Sequence, residues 1–354
     1  MTVLPLLLVL LMMACFVAAT SAFVVLPQRN TRTIVSSSSS SSSLLKAAGE
    51  SSTTADEEQD STATFANTVL SVSSMAKDLQ GKIVVVKYGG NAMTSPELAQ
   101  GFCQDVAALS NLGIKLVVVH GGGPQISKML ETVGVSTTFE GGFRVSSKEV
   151  VDVAEMVLCG SVNKQIANGI CASGGTAVGL SGRDADLLQC TKQINADGFD
   201  LGFVGQVETV NTNLLNSLLD LGITPVVSPI GTGIGPEEST IAYNVNADVA
   251  AGRIAGELGA AYVLFLTDIA GVLDKEMKLL PQLSIDDVSN LIDDETITGG
   301  MIPKVSYATS ALELGVGGAF ITDGRVPHAL LKQILQNKQG DGDETTGGTL
   351  ITTE

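Results

Sequence analysis

From residue 82 onward, short apolar runs alternate with amphipathic segments, and this alternation limits the fold more than any other feature of the sequence. Uninterrupted apolar runs predict buried strands at residues 83–86, 116–119, 176–180, 224–228, 262–267 and 318–322. Amphipathic spacing predicts helices at residues 96–112, 126–133, 214–221, 245–258 and 306–314. Strands that are apolar on both faces belong to parallel sheets covered by helices. We therefore predict an α/β fold with an open, mainly parallel central sheet sandwiched by helices.

The first 60 residues differ in composition from the rest. Residues 3–19 are almost wholly apolar and small residues follow, which predicts a signal peptide over residues 1–22. Since no basic residue precedes the apolar run, a retained membrane anchor is the alternative. Residues 23–60 contain a serine run with scattered arginines and then acidic residues, which predicts a transit peptide and a disordered linker. This order is similar to two-part plastid presequences, so we expect delivery to the chloroplast stroma and no membrane attachment after processing.

Residues 61–80 are predicted to form an N-terminal helix ahead of the first strand. Their apolar side chains fall on one helical face, at Phe65, Val69, Val72, Ala76 and Leu79. A frayed linker is the alternative.

The formal net charge of -17 argues against nucleic acid or an anionic membrane as a partner. It also makes any cluster of cations conspicuous. The chain has two histidines, so we predict no histidine-based metal site. Its five cysteines show no CxxC spacing, which favours free buried thiols.

Lys87 ends the first predicted strand and is followed by Gly89 and Gly90. Side chains at the carboxyl end of a parallel strand face the ligand crevice, and glycines let backbone N–H groups approach phosphate closely. A lysine that merely caps the strand is the alternative.

Three glycines, at residues 121–123, separate the second strand from a helix that begins near Pro124. Free N–H groups at a helix start bind anions, although a tight turn would also need glycine. We interpret His120 as a buried turn histidine rather than a catalyst. The chain has no Walker A motif and no GxGxxG, which argues against a NAD dehydrogenase.

Arg144 follows a glycine pair, a setting that suits bidentate capture of a carboxylate or else a surface salt bridge. Asn244 and Asn246 could donate hydrogen bonds to a substrate. Asp248 opens a predicted helix, where it could cap the helix or orient two lysines.

Two later motifs complete the set. One places Thr267, Asp268 and Gly271 at a strand end, as a nucleotide contact or a turn, and the other places Gly300, Met301 and Lys304 at a helix start. A glycine pair before a lysine suits a clamp on a γ-phosphate. Together the lysines, glycine loops and arginine predict phosphoryl transfer, a reaction that needs positioning and charge neutralisation more than covalent chemistry.

The motifs occur in the order of the amino-acid kinase family, which the chain resembles over about residues 79–351. They lie at residues 86–90, 119–124, 142–145, 244–248 and 299–304. The resemblance implies two lobes, with a substrate-binding lobe at 81–250 and a nucleotide-binding lobe at 251–354. It is strongest to the branch that phosphorylates the γ-carboxylate of N-acetyl-L-glutamate with ATP and Mg²⁺.

The resemblance also implies a role for each motif. Lys87 and Lys304 would stabilise the transition state, and Asp248 would orient both. The residues that would hold acetylglutamate are Gly122, Gly123, Arg144, Asn244 and Asn246. Those that would border the nucleotide are Gly89, Gly90, Thr267, Asp268, Gly271, Gly300 and Met301.

Two features are similar to the members that L-arginine inhibits. One is the helix before the first strand, which implies a hexamer built as a trimer of dimers. The other is a C-terminal set of arginine contacts, here His328, Glu344 and Gly348, although residues 337–347 form a longer, acidic insertion. Plastid relatives bind the PII signalling protein, which makes PII a candidate partner.

Two alternatives stay open at this point. A sibling kinase would act on glutamate, aspartate, carbamate or UMP. A non-catalytic sensor of arginine or nucleotide would belong to another class and would be expected to have lost one of the two lysines, and both are present.

Overall fold

The computed structural model describes residues 53–93, 95–194, 197–336 and 347–354. The predicted signal peptide, most of the predicted transit peptide and linker, and Glu344 lie outside these ranges. The chain forms two compact units, Met1–Glu58 and Gln59–Glu354, and the second carries every element discussed below apart from the start of the first helix. No helix among the described residues is long and apolar enough to cross a membrane.

The central sheet has eight strands. They are β1 (Ile83–Tyr88), β2 (Lys115–His120), β5 (Ala177–Ser181), β8 (Thr224–Ser228), β11 (Tyr262–Thr267), β12 (Gln282–Ser284), β13 (Ala319–Asp323) and β14 (Thr349–Thr352). Their order is β12-β14-β13-β11-β1-β2-β8-β5, and β13 with β14 is the antiparallel pair. All six predicted strands are present, so the prediction of a mainly parallel sheet is confirmed.

The helices run in chain order from α1 to α10. They are α1 (Thr53–Leu79), α2 (Pro96–Asn111), α3 (Gly123–Val133), α4 (Lys148–Glu155), α5 (Asn163–Ala172), α6 (Thr212–Asp220), α7 (Ala247–Glu257), α8 (Ile285–Asp293), α9 (Met301–Glu313) and α10 (Ala329–Gln336). A π-helical segment, Met156–Val162, joins α4 to α5. The helix predicted over 61–80 is present but begins at Thr53, so the prediction of a disordered linker is wrong for residues 53–60.

Strands outside the central sheet form two smaller structures that were not predicted. β6 (Leu188–Ile194), β7 (Asp200–Val210), β9 (Ile230–Gly233) and β10 (Ala242–Asn244) close into a small barrel. β3 (Phe139–Glu140) and β4 (Phe143–Arg144) form a hairpin.

The core explains why the sheet strands are uninterrupted apolar runs. Val84 and Val86 of β1 face one hydrophobic cluster, whereas Val85 faces another on the opposite side of the sheet. Both faces are therefore covered by helices. The predicted lobe boundary, between residues 250 and 251, lies inside α7.

The central strands also position the candidate site. β1 pairs in parallel with β2 on one side and with β11 on the other. Their carboxyl ends therefore meet at one edge of the sheet, where open α/β folds bind ligands.

Candidate active site

A cleft of about 290 Å³ opens at this edge of the sheet. It brings together eight of the predicted residues, namely Lys87, Gly90, Gly122, Gly123, Arg144, Asn244, Asn246 and Asp248. These residues come from β1, the loop before α3, the hairpin, β10 and the start of α7. Residues far apart in sequence thus share one cavity.

The Lys87 ammonium lies 3.2 Å from Asp248 Oδ1, and both side chains are largely buried. Gly89 makes this position possible, because a Cβ there would lie 3.3 Å from Lys87 Nζ and 3.5 Å from the Gly121 nitrogen. Gly90 has a φ of +67°, a conformation that favours glycine. The side chain of Lys87 therefore lies at the cleft beside glycine backbone that carries no side chains.

The glycine loop at residues 121–123 forms the start of α3, and Gly122 is its N-cap. A Cβ on Gly122 would lie 2.5 Å from Leu158 Cδ2 in the π-helical segment, so the tight packing requires glycine. The first N–H groups of a helix have no intrahelical acceptor. The loop can therefore donate hydrogen bonds to an anion in the cleft.

Arg144 is 7% exposed and is held by neighbours rather than by a surface salt bridge. Its Nη2 donates to Gly123 O at 3.1 Å and to Ser127 Oγ at 2.9 Å. Its Cζ lies 4.5 Å from the ring centroid of Phe139 across the hairpin. Both of these hydrogen bonds use Nη2, which leaves Nη1 and Nε for a bound carboxylate.

The two predicted asparagines have different surroundings. Asn246 caps α7, since its Oδ1 accepts from the nitrogens of Asp248 at 2.8 Å and Val249 at 3.4 Å. The capping alternative thus belongs to Asn246 rather than to Asp248. Asn244 lines the cleft and donates to Ser146 Oγ at 3.2 Å.

Lys304 lies in a second cluster, at the end of β11. Its Nζ donates to Thr267 Oγ1 at 2.9 Å and is 3.8 Å from Asp268 Oδ1. Burial opposes ionisation of Asp268, but its backbone hydrogen bond and the charge of Lys304 outweigh this and lower its pKa. Asp248 thus pairs with Lys87 while Lys304 lies near Asp268, and the orientation of Lys304 by Asp248 stays a prediction.

Gly300, Met301 and Gly271, which were also predicted at the nucleotide, lie on the helix that carries Lys304 and in the loop after β11. Gly300 is the N-cap of α9 and Met301 is its first residue. Gly271 lies against β14, since a Cβ there would be 2.7 Å from Thr349 Oγ1. The loop after β11 therefore packs closely against the sheet at Gly271.

The predicted arginine contacts that the structure describes both lie beside α10. His328 Nδ1 is 2.6 Å from Asp105 Oδ1, and the Gly348 nitrogen donates to Gln333 Oε1 at 3.0 Å. Asp105 was missed although the sequence carried a signal, an acid on the buried face of α2 beside Phe102. Burial raises the pKa of Asp105.

The family model described as "Amino acid kinase family" matches residues 82–323, which include the whole cleft. The chain belongs to the amino acid kinase family.

Similar members of this family are acetylglutamate kinases. That of Rhodospirillum centenum is 45% identical over 295 residues, which cover 81% of this chain and 93% of that protein. That of Azorhizobium caulinodans is 47% identical over 262 residues, which cover 72% of this chain and 86% of that protein. Within the amino acid kinase family, the chain is therefore an enzyme of the acetylglutamate kinase group.

A solved structure shares the fold at lower identity. The N-acetylglutamate synthase from Neisseria gonorrhoeae, complexed with coenzyme A and N-acetyl-glutamate, has a TM-score of 0.71 and is 23% identical. The match covers 82% of this chain and 64% of that chain.

Proposed function

We propose that the chain transfers the γ-phosphoryl group of ATP to the γ-carboxylate of N-acetyl-L-glutamate. The products are ADP and N-acetyl-L-glutamate 5-phosphate, an intermediate of arginine biosynthesis. One observation carries this proposal. A single cleft combines a largely buried lysine paired with Asp248, a glycine loop at a helix start and an arginine with free donors. Identities of 43% to 47% to curated acetylglutamate kinases support the choice of substrate.

Some residues around the cleft bind the substrate, and others neutralise the charge of the phosphoryl group. Arg144 and Asn244 bind polar groups of acetylglutamate, and the N–H groups of Gly122 and Gly123 face the phosphoryl group in flight. Lys87 approaches this group from β1 and Lys304 approaches it from α9. Because the transferred oxygens carry spread negative charge, two positioned ammonium groups lower the barrier electrostatically.

ATP fits the arrangement of cations and glycines beside β11. Thr267, Asp268, Gly300 and Met301 border the nucleotide, with Gly271 behind them, and Gly89 and Gly90 leave backbone open to the phosphates. Mg²⁺ bound to the phosphates would neutralise part of their charge.

Feedback inhibition by L-arginine is the finer part of the proposal. Gly348 donates to Gln333 within α10, and His328, just before α10, has a half-exposed side chain beside buried Asp105. These groups supply a hydrogen-bonding rim for a small polar ligand.

The exposed Val69 and Leu70 of α1 support association into a hexamer. The PII signalling protein is a candidate partner of this assembly.

We also propose that residues 1–60 deliver the protein to the plastid stroma. The support is compositional, an apolar run followed by a serine-rich stretch with arginines. Fusing these residues to a fluorescent protein in an alga with secondary plastids tests the proposal. Stromal fluorescence supports it, and retention at the endoplasmic reticulum contradicts it.

A coupled ADP-release assay with a panel of acceptors tests the proposed reaction. The chain from Thr53 onward should release ADP with acetylglutamate far faster than with glutamate, aspartate, carbamate or UMP. Preference for another acceptor would identify a sibling kinase. No turnover with any acceptor would favour a binding protein, and titration of L-arginine in the same assay tests inhibition.

A further inference from the structure

His120 lies at the end of β2 and is fully buried, although the proposed reaction does not use it. Its ring touches polar groups on both sides. Nδ1 is 2.9 Å from the Gly121 carbonyl oxygen, and Nε2 is 3.1 Å from Ser228 Oγ and 3.2 Å from Asn163 Nδ2. Three polar neighbours around this buried ring fix the orientation of the imidazole.

The fold brings these partners together from distant segments. β2 pairs with β8 through Val119 and Val227, so His120 and Ser228 lie at neighbouring strand ends. Asn163 begins α5, directly after the π-helical segment. Segments with π-helical turns occur often at functional sites.

The orientation of the Asn163 amide is fixed by its other partners. Its Nδ2 is 2.7 Å from Val226 O and 3.2 Å from Leu180 O, and both of these carbonyl oxygens can only accept. Its Oδ1 accepts from Lys164 Nζ at 3.1 Å. The amide nitrogen rather than the amide oxygen therefore faces the His120 ring, with its two hydrogens directed at these two carbonyls.

These neighbours specify a single tautomer of His120. The Gly121 carbonyl can only accept, so Nδ1 must carry the proton. The Asn163 amide nitrogen cannot accept a hydrogen bond, and a neutral ring with its proton on Nδ1 presents the Nε2 lone pair to the Ser228 hydroxyl, which can donate to it. Complete burial disfavours a second proton on the ring, and the ring is therefore neutral.

The tautomer of His120 matters because its Nδ1–H fixes the orientation of the peptide group between Gly121 and Gly122. The Gly121 carbonyl and the Gly122 N–H belong to one planar trans peptide group and point in opposite directions. The Gly121 nitrogen also donates to Tyr88 O at 2.8 Å, which fixes the preceding peptide. Holding the Gly121 carbonyl against His120 thus directs the Gly122 N–H away from the ring, toward the cleft that Gly122 lines.

We propose that His120 is a positioning residue whose neutral Nδ1–H tautomer, which donates to the Gly121 carbonyl while Nε2 accepts from Ser228, aims the Gly122 N–H at the phosphoryl group being transferred. The inference rests on the proposed function. It assigns a part in catalysis to a buried network beneath the cleft that makes no contact with substrate.

Two variants of His120 separate an effect on the direction of the Gly122 N–H from an effect on packing. In His120→Asn, the amide Nδ2 can occupy the place of Nδ1 and donate to Gly121 O, whereas His120→Leu fills similar space without a donor. We expect His120→Leu to lower kcat by about 10- to 100-fold, with the Kd of acetylglutamate changed by less than about threefold. His120→Asn should recover most of kcat. A folded His120→Leu variant with kcat within about twofold of the wild type, or an Asn variant as slow as the Leu variant, would overturn the proposal.

A measurement on the wild-type chain covers the case in which these variants fail to fold. The chain has only two histidines, so His328→Asn identifies the ¹⁵N ring signals of His120. The expected spectrum shows a protonated Nδ1 and an unprotonated Nε2 at neutral pH. A proton on Nε2, or on both nitrogens, would overturn the assignment.

The two proposals fail in different ways. A wild type without turnover on ATP and acetylglutamate refutes the proposed function and leaves the tautomer result standing. An active wild type with an equally active His120→Leu variant refutes only the role of His120.

Discussion

At the scale of single residues, the site consists of two lysines with separate carboxylate neighbours. Lys87 lies beside Asp248 and Lys304 lies near Asp268, and the two pairs come from the adjacent strands β1 and β11 and the helices that face them. Each carboxylate can hold its lysine in place between turnovers. A substrate phosphate competes for the same ammonium group, so the lysines can serve both as structural partners and as phosphoryl ligands.

Replacing either lysine should reduce rate more than binding. We expect Lys87→Ala and Lys304→Ala each to lower kcat by about 100-fold or more, because each removes a charge that matters most in the transition state. The Kd of acetylglutamate, measured by calorimetry, should change little. Lys115→Ala is the matched control, since Lys115 pairs with exposed Asp220 at the opposite end of β2. Equal activity in the Lys87 and Lys115 variants would contradict the assigned role.

The buried state of His120 predicts how stability depends on pH. Burial lowers its pKa from 6.5 to about 4, an effect to which nearby Lys164 adds, so the unfolded chain binds more protons between these values. Stability should therefore fall as the pH is lowered, by about 2 kcal/mol between about pH 7 and about pH 5. Urea unfolding of the wild type and His120→Asn measures this contribution. Parallel pH profiles for the two proteins would show that His120 is not its source.

The sequence identified residues that belong to local motifs but not those that act through distant neighbours. Lys87, Arg144 and Lys304 stand beside glycine pairs, a signal visible within a few residues. Ser127 and Asn163 have no such signal, because their partners lie on other elements. The pairing of each lysine with its own carboxylate was missed for the same reason.

At the scale of elements, apolar periodicity predicted the central sheet but not the barrel. Strands buried on both faces are continuous apolar runs, as in β1 and β11. Barrel strands β6 and β7 mix polar and apolar residues, and β7 contains glycines that pack closely. A Cβ on Gly205, for example, would lie 3.1 Å from Cys190 Cβ. The helix pair α4 and α5 was missed; Gly160 interrupts the pattern in the π-helical segment between them, and Gly169 interrupts it within α5, where it packs against Cys103.

Asp105 joins α2 to the start of α10, and its removal should loosen that contact. Its Oδ2 accepts from the Leu331 nitrogen at 3.2 Å, while Oδ1 pairs with His328. We expect Asp105→Asn to lower the free energy of unfolding by about 1–3 kcal/mol, since a buried charge-assisted hydrogen bond is lost. It should also weaken arginine inhibition while kcat stays within about twofold.

Chemical denaturation and arginine titration measure these two effects on the same preparation. Asp184→Asn is a suitable control, because Asp184 is exposed and accepts from the Ser181 nitrogen on another edge of the sheet. Unchanged arginine inhibition in a destabilised Asp105→Asn variant would separate α10 from the proposed arginine site.

At the scale of the whole molecule, α1 has two parts with different roles. Met75 and Leu79 are buried in the main core, whereas Val69 and Leu70 are 49% and 67% exposed. Exposed apolar residues on a helix suit contact with another subunit. The C-terminal part of α1 therefore belongs to the fold, and its earlier part is available for assembly.

Deleting residues 53–70 should separate catalysis from regulation. Because Met75 stays in place, we expect kcat within about twofold of the full helix and little change in thermal stability. Light scattering should show a smaller oligomer, and a higher arginine concentration should be needed for inhibition. Deletion of residues 53–79 is the control, since loss of the buried Met75 should cost about 2–5 kcal/mol or more. Unchanged assembly and full inhibition in the shorter deletion would give α1 another role.

Trapping the product tests the central claim most directly. An acyl phosphate reacts with hydroxylamine to give a stable hydroxamate, whereas a phosphate ester does not. With ATP and acetylglutamate, the chain should form acetylglutamyl hydroxamate in step with ADP release, and Lys87→Ala should lose both signals together. ADP release without any hydroxamate that depends on acetylglutamate would contradict the account.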